Sequence, residues 1–321
     1  MKTALVTGGA GYLGQHLGKA LKEAGYHTIG FDIAPFDQME DHWWDDFYNG
    51  DIRSYEDVMS VFFENTDIDV VFHLAGRIEV GESIEKPELF WDVNVGGTTN
   101  LLNIMKEYNV RNIVYSSTAG LYRSTGTDLS EKDQIDDNNP YANSKYAAEC
   151  AIRNSTMNHI IFRFFNLAGA DPEGEMGEMH NPETHLIPVM FENLNNFIIN
   201  GKDYRTPDGT CIRDYVHVSD VADAHVAAAD YMQTRMANQP TLFNLGTGKG
   251  YSVLEVIKTA TEELGISITH KFGKKREGDP PRLVAITDLA KKHLKFKPKH
   301  DLKSILRTAY TWHEKHGRNN L

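Results

Sequence analysis

The sequence predicts an α/β protein whose first part is a doubly wound parallel sheet, followed by a smaller C-terminal α/β domain. Three observations lead there. A glycine-rich turn, Gly8-Gly9-Ala10-Gly11-Tyr12-Leu13-Gly14, joins an apolar run to a helical pattern. Strand-length and helix-length segments then alternate through about residue 165. Past that point the alternation gives way to Gly- and Pro-containing loops between scattered helices and short strands. The boundary this sets is 1–165 for the first domain, with strands and helices returning to it from the second half, and 166–321 for the other.

Taken in order, Thr3-Ala4-Leu5-Val6-Thr7 is a buried strand, and the helix after the glycine turn continues through Leu17, Ala20, Leu21 and Ala24. Gly8, Gly11 and Gly14 let backbone approach a pyrophosphate, which amide N–H groups and the helix dipole would hold. Thr28-Ile29-Gly30-Phe31-Asp32 is a second strand ending in a carboxylate at the distance expected for a ribose-binding acid. This pairing makes the domain Rossmann-type. Asp32 favours NAD over NADP, because it would repel a 2′-phosphate. Asn49-Gly50-Asp51-Ile52 closes a third strand, Val58 to Phe63 lies on a helix, and Asp69 to His73 is a fourth strand running into the small-residue turn Leu74-Ala75-Gly76. His73, at that strand end, reads as a hydrogen-bonded structural histidine. Pro87 to Tyr108 reads as one long helix carrying Asn94, and Asn112-Ile113-Val114-Tyr115 as the fifth strand, followed by Ser116-Ser117-Thr118. Hydroxyls just past a strand's carboxyl end sit where open α/β sheets bind ligands.

Tyr141-Ala142-Asn143-Ser144-Lys145 follows where the sequence turns helical again, and a spacing of four puts the phenol and the ammonium on one helix face. A phenol is a poor base at neutral pH, but a fixed neighbouring cation favours the phenolate. Tyr141 therefore reads as a proton acceptor and Lys145 as its activator, with Thr118 facing the same substrate. In isolation, Tyr-x-x-x-Lys is common on solvated helix faces. Its place after five β/α units gives the pair its weight here.

Beyond the strand Ile160-Ile161-Phe162-Arg163, helices are expected around Val218 to Tyr231, Val253 to Leu264 and Leu302 to His313, with a short strand at Leu242-Phe243-Asn244. Arg213, in Cys211-Ile212-Arg213-Asp214-Tyr215-Val216-His217, and Arg276, in Arg276-Glu277-Gly278-Asp279-Pro280-Pro281, each stand beside a turn. Two guanidinium groups could clamp a second pyrophosphate; as a pair of ordinary surface ion pairs they would do nothing of the kind.

Composition narrows the partners. A formal charge of −12 without a dense Lys/Arg run argues against nucleic acid or an anionic membrane. No apolar stretch reaches bilayer-spanning length, and the N-terminus runs straight into a strand, so the reading is cytoplasmic. Cys150 and Cys211 are too few for a disulfide framework. The 14 His include no His-x-x-x-His pair, and no metal is expected.

These motifs resemble the extended short-chain dehydrogenase/reductases, and within them the UDP-hexose 4-epimerase branch. The likeness runs nearly end to end: the glycine turn, Val80-Gly81-Glu82-Ser83, Ser116-Ser117-Thr118, Tyr141-x-x-x-Lys145, Arg163-Phe164-Phe165-Asn166-Leu167-Ala168-Gly169-Ala170 and Gly209-Thr210-Cys211-Ile212-Arg213-Asp214-Tyr215-Val216-His217. It implies reversible inversion at C4 of a UDP-glucose or UDP-galactose through a 4-keto sugar, with tightly held NAD. By resemblance Tyr141 is the base, Lys145 also a nicotinamide-ribose ligand, and Thr118 the hydroxyl partner at the reacting oxygen. Tyr12, Leu13, Asp32, Asp51, Ile52, Leu74, Ala75, Gly76, Asn94, Ser116 and Phe165 join the glycines on the NAD side. Asn166, Arg213, Arg276 and Asp279 fall on the UDP side, and Leu283 lines the hexose pocket. The resemblance also implies a homodimer paired through the helices at Pro87 to Tyr108 and Tyr141 to Ser155.

Two segments depart from the pattern. Arg77-Ile78-Glu79 stands where many members carry a cofactor-touching lysine, and Gly120-Leu121-Tyr122-Arg123 replaces a Val-Tyr-Gly ending. A related epimerase acting on N-acetylhexosamines, uronates or pentoses is the alternative reading. A nucleotide-sugar dehydratase or decarboxylase on the same scaffold is a further alternative; a dehydratase resembling its family would carry Asp-Glu after Thr118, where this chain has Ala119-Gly120. A non-catalytic NAD sensor would be expected to have lost Thr118, Tyr141 or Lys145, and all three are present.

Overall fold

The computed structural model describes residues 1–34, 43–136, 139–276 and 279–317. Its first half contains β1 (Thr3–Thr7), α1 (Tyr12–Glu23), β2 (His27–Asp32), β3 (Asp46–Asn49), α2 (Tyr55–Glu64), β4 (Ile68–His73), α3 (Val80–Glu85), α4 (Pro87–Phe90), α5 (Gly97–Glu107), β5 (Asn112–Thr118), α6 (Pro140–Asn154) and β6 (Asn158–Phe164). The rest contains β7 (Asn166–Ala168), α7 (Leu186–Glu192), β8 (Phe197–Asn200), β9 (Ile212–His217), α8 (Val218–Thr234), β10 (Leu242–Leu245), β11 (Gly250–Ser252), α9 (Val253–Leu264), β12 (His270–Gly273), β13 (Arg282–Leu283), α10 (Asp288–His293) and α11 (Leu302–His316).

Seven parallel strands form the main sheet in the order β10-β6-β5-β4-β1-β2-β3. The chain winds outward one way from β1 and the other way from β4, so the switch point lies between those two neighbours. Ligands of open α/β sheets bind outside the carboxyl ends at such a point. Each face of the sheet is covered because its strands are apolar on both sides. Leu13, Leu17 and Leu21 of α1 and Val221, Ala224 and Ala228 of α8 bury one face. Val58, Val61 and Phe62 of α2, Leu101 and Met105 of α5, and Ala148 and Ile152 of α6 bury the other. α8 and β10 are thus parts of the first sheet's packing supplied from beyond residue 165.

A separate core holds the second region together, with Ile187 and Phe191 of α7, Val256 and Ala260 of α9, and Ile305 and Leu306 of α11 around β9. There β11, β9 and β13 pair, β7 also pairs with β9, and β8 pairs with β12. The element ends are set by ordinary local chemistry. Ser252 and Glu255 form a reciprocal capping box on α9, and α6 starts with Asn139 accepting from the Ala142 N–H at 2.8 Å and Pro140 in its first turn.

Two sequence expectations change. The long helix from Pro87 to Tyr108 is interrupted by a π-helical segment, Trp91–Gly96, a feature that recurs at functional sites. Asn94 lies within it. The three hydroxyl residues expected beyond the fifth strand are inside it, since β5 pairs with β6 through Thr118.

Candidate active site

One cleft of about 760 Å³ opens along the carboxyl ends of β1, β4 and β5 and extends between the two regions. Its cofactor-side wall is backbone. Gly8 has φ +79°, and a Cβ there would lie 2.8 Å from the Ala75 nitrogen, so this turn and the Leu74-Ala75-Gly76 turn touch main chain to main chain. A Cβ at Gly14 would overlap the Gly8 carbonyl oxygen. Asp32 stands at the end of β2, where its carboxylate accepts from the Ala10 N–H at 3.0 Å and the Ala34 N–H at 3.0 Å. Burial raises its pKa, and those amide hydrogen bonds oppose the rise. The Arg53 side chain bonds to Asp51 and holds its carboxyl below the usual range, and the buried Ile52 side chain packs against Gly97. Tyr12 donates from its phenol to the Gly169 carbonyl at 2.6 Å, tying the start of α1 to the second region.

At the centre of the cleft are Ser116, Thr118, Tyr141 and Lys145. The sequence suggested that Lys145 would lower the Tyr141 pKa. In the folded chain burial dominates both groups: the phenol is pushed up to about 12, with the Thr118 hydroxyl opposing, and the ammonium is pushed down to about 8, with Glu149 opposing. Lys145 directs its Nζ to the Ser116 carbonyl at 2.6 Å and sits 4.6 Å from the centre of the Tyr115 ring. Behind it, Glu149 is fully buried and accepts from Ser117 at 2.6 Å, from Arg163 at 2.8 and 2.7 Å, and from Arg153 at 2.8 Å. Tyr141, Lys145 and Glu149 are four apart along α6, which places a charged chain on one helix face beneath the cleft.

Asn166, Arg213, Phe165 and Leu283 line the same cleft from the second region's side. Leu283 also packs against Ala119, Tyr122 and Phe165. Arg213 bonds to Asp279 at 2.5 Å, and Asp279 accepts from the Tyr204 phenol at 3.0 Å. Asp279 and Arg276 stand outside the cleft lining; the Glu277-Gly278 pair between them lies outside the described residues. Asn94 is likewise behind the wall rather than in it. Its amide accepts from the Arg77 N–H at 2.7 Å and donates to the Arg77 carbonyl at 3.1 Å and to Ser144 at 2.9 Å. It therefore fixes the backbone of Arg77-Ile78-Glu79, all three of which line the cleft. His73 is structural as read: it bonds Thr7 at 2.7 Å and Thr98 at 2.9 Å, and burial lowers it to about 3.

Sequence reading missed Glu178, His180, His185 and Leu186, which also line the cleft. A search for closely spaced histidines overlooks them, because the polar side chains alternate as Glu-x-His-x-x-Glu-x-His across 178–185.

A profile of the NAD dependent epimerase/dehydratase family matches residues 4–246. The chain is 38% identical to a UDP-glucose 4-epimerase of Halalkalibacterium halodurans, over 97% of this chain and 96% of that one. Among solved structures it is similar to a UDP-glucose 4-epimerase of Stenotrophomonas maltophila with bound NAD and formylated UDP-arabinopyranose, with TM-score 0.91, 30% identity, and 99% and 100% of the two chains covered. A UDP-glucose 4-epimerase of Bifidobacterium longum in complex with NAD+ and UDP superposes with TM-score 0.89 at 34% identity, covering 98% and 99%.

Proposed function

This chain belongs to the NAD dependent epimerase/dehydratase family, and we propose that it interconverts UDP-glucose and UDP-galactose by reversible inversion at C4, with NAD as its redox group. The observation that carries this reading is a single cleft lined by a glycine cradle, a Tyr-Thr-Lys centre, and Asn166 and Arg213 from the second region. The cradle fits a dinucleotide: Gly8 and Gly14 let its main chain close up, since a Cβ at either would collide with neighbouring backbone, and Asp32 lines it with the charge that suits a free ribose 2′-hydroxyl. Gly8, Gly11, Gly14, Asp32 and Lys145 would hold the cofactor, and Asn94 would act through the backbone of Arg77. When bound, NAD supplies a reversible acceptor for the hydride at C4.

The remaining work falls to side chains. Tyr141 takes the proton from the C4 hydroxyl and later returns it, while the Thr118 hydroxyl holds the same oxygen. A phenol held near 12 is almost wholly protonated at neutral pH, so positive charge brought to it with the ligands must favour the phenolate; Lys145, fixed by Ser116, adds to that charge. Arg213 and Asn166 retain the UDP portion; Arg276 and Asp279 stand outside the cleft lining, where Asp279 bonds the Arg213 guanidinium. The hexose must turn over to present its other face, which fits an apolar contact such as Leu283 rather than a fixed polar clamp. Exposed Trp91 and Tyr146, on the π segment and α6, support a homodimer joined there. Two unpaired cysteines fit a cytoplasmic setting.

The deciding experiment is incubation of the purified protein with UDP-galactose, UDP-N-acetylgalactosamine and UDP-galacturonate, with the products separated by chromatography. Formation of UDP-glucose as the fastest reaction is expected. A uronate- or N-acetylhexosamine-specific product would move the chain to another substrate, and no C4 product from any of them would end the reading.

A further inference from the structure

We propose that Glu178, His180, Glu183 and His185 form a binding site for a divalent transition-metal ion of the zinc class, set in the wall between the cleft and a smaller cavity behind it. One ligand atom from each of the four lies within 4.8 Å of all the others. A tetrahedral zinc ion with ligands at about 2.1 Å requires ligand atoms about 3.4 Å apart. Three of the six edges come near that length: Glu178 Oε1 to His180 Nδ1 is 3.3 Å, His180 Nδ1 to Glu183 Oε2 is 3.6 Å, and His185 Nδ1 to the other Glu183 oxygen, Oε1, is 3.8 Å, so the Glu183 carboxylate would offer an ion either or both of its oxygens. A fourth of the six edges, His185 to Glu178, is closer and in direct hydrogen-bond contact, and the remaining two are within 4.8 Å. His185 has the most exposed side chain of the set at 45%, so a small swing of its ring opens that edge.

Charge and access agree with the geometry. The carboxylates of Glu178 and Glu183 are 6% and 3% exposed and share the same pair of imidazoles. Two buried carboxylates this close take up compensating charge, which the two imidazoles can supply when protonated and one divalent ion can supply in place of those protons. Imidazole nitrogen in half the donor set selects zinc-like ions over magnesium or calcium, whose preferred donors are oxygen. Glu178, His180 and His185 line the large cleft, while Glu178, His180 and Glu183 line the 210 Å³ cavity, so an ion can enter from either side. The His180 ring meets the Tyr12 ring edge-on, 6.4 Å between centres. Tyr12 in turn is bonded to Gly169. A metal at this position would brace the segment between β7 and α7 against the start of α1. Its role is a clip at the rim of the cleft and not a step in the proton chemistry.

The test uses the full-length untagged protein, dialysed against a chelator and then titrated with Zn2+ by calorimetry and with Co2+ by visible absorption. The expected result is one ion per chain, intense tetrahedral cobalt bands displaced by zinc, and a higher melting temperature in the metal-loaded protein. His180→Ala and Glu183→Gln, each checked by circular dichroism, are expected to abolish the stoichiometric binding and the temperature shift. Weak octahedral cobalt bands in the wild type, sub-stoichiometric zinc, or binding by a folded variant equal to that of the wild type would overturn the proposal. The cobalt spectrum decides by itself should both variants misfold.

Discussion

The two walls of the cleft are built on different principles. The cofactor-side wall is made of main chain: the Gly8–Gly14 turn and the Leu74–Gly76 turn touch at the switch point, and their fit depends on missing side chains. The opposite wall is made of side chains gathered from β7, the segment before α7, β9 and β13, of which β7 and β13 are brought together by pairing with β9. A wall of backbone is intolerant of any added atom. A wall of side chains can be re-cut one residue at a time, which is how a family keeps its cofactor and changes its sugar.

The largest effect should come from adding atoms to the backbone wall. Gly14→Val places branched carbon where even a Cβ overlaps the Gly8 carbonyl oxygen. We expect the purified variant to carry no NAD when it is denatured and the supernatant is assayed, and to turn over no sugar. Retention of stoichiometric NAD would mean that the turn relaxes easily and that the contrast between the walls is overstated. Next is Tyr141→Phe, which removes one oxygen at the junction of the walls. Turnover should fall between about 10²- and 10⁴-fold, with NAD and UDP retained, because the ring keeps its packing against Phe90. A turnover number close to that of the wild type would end the assignment of the base. The pH dependence has a definite sign: the reactive phenolate is the high-pH form of a group that burial raises, so the rate should rise with pH up to the value to which the bound ligands lower it. It should rise less steeply as Lys145 loses its charge through about 8.

The same contrast explains what the sequence made legible. Backbone cradles are local in sequence, so Gly8 to Gly14, Asp32 and Leu74 to Gly76 could be read as a set, and the strand and helix identities of that half followed from apolar runs. The π segment could not be read, since nothing in Trp91 to Gly96 marks a π turn and the partners that Asn94 reaches from it, the Arg77 backbone 17 residues away and Ser144 50 away, are remote in sequence. Lys145 lines the cleft with Tyr141, but the burial that sets both pKa values in the folded chain cannot be read from a spacing that gives only a shared helix face. The Glu178–His185 cluster escaped for a third reason: its members meet through a loop whose course no periodicity encodes.

Asp32→Ala tests the cofactor-side wall at the carboxylate that ends β2. A hydrogen bond to a charged group contributes about 1.5–3 kcal/mol, so the preference for NAD over NADP should fall by about 10- to 100-fold in competition binding. An unchanged ratio would show that the carboxylate is spent on the Ala10 and Ala34 amides and not on the ribose.

The smallest expected change on the main reaction, and the sharpest on specificity, is at Leu283. This residue is half-buried: one side lines the cleft and the other packs on Ala119, Tyr122 and Phe165. It sits on β13, whose pairing with Arg213 of β9 brings it beside the arginine assigned to UDP. A leucine there is shorter than a tyrosine and can change rotamer, so an acetamido group on the sugar should be accepted at reduced efficiency. Leu283→Tyr adds a ring and a hydroxyl to the side-chain wall without touching the backbone one. The kcat/KM for UDP-N-acetylgalactosamine should drop about tenfold or more, while that for UDP-galactose stays within about twofold, a split of the size that pocket shape can impose. Equal losses on both sugars would show that the residue serves the Ala119–Phe165 cluster as core. A gain on the N-acetylated sugar would place the acetamido group elsewhere in the cleft.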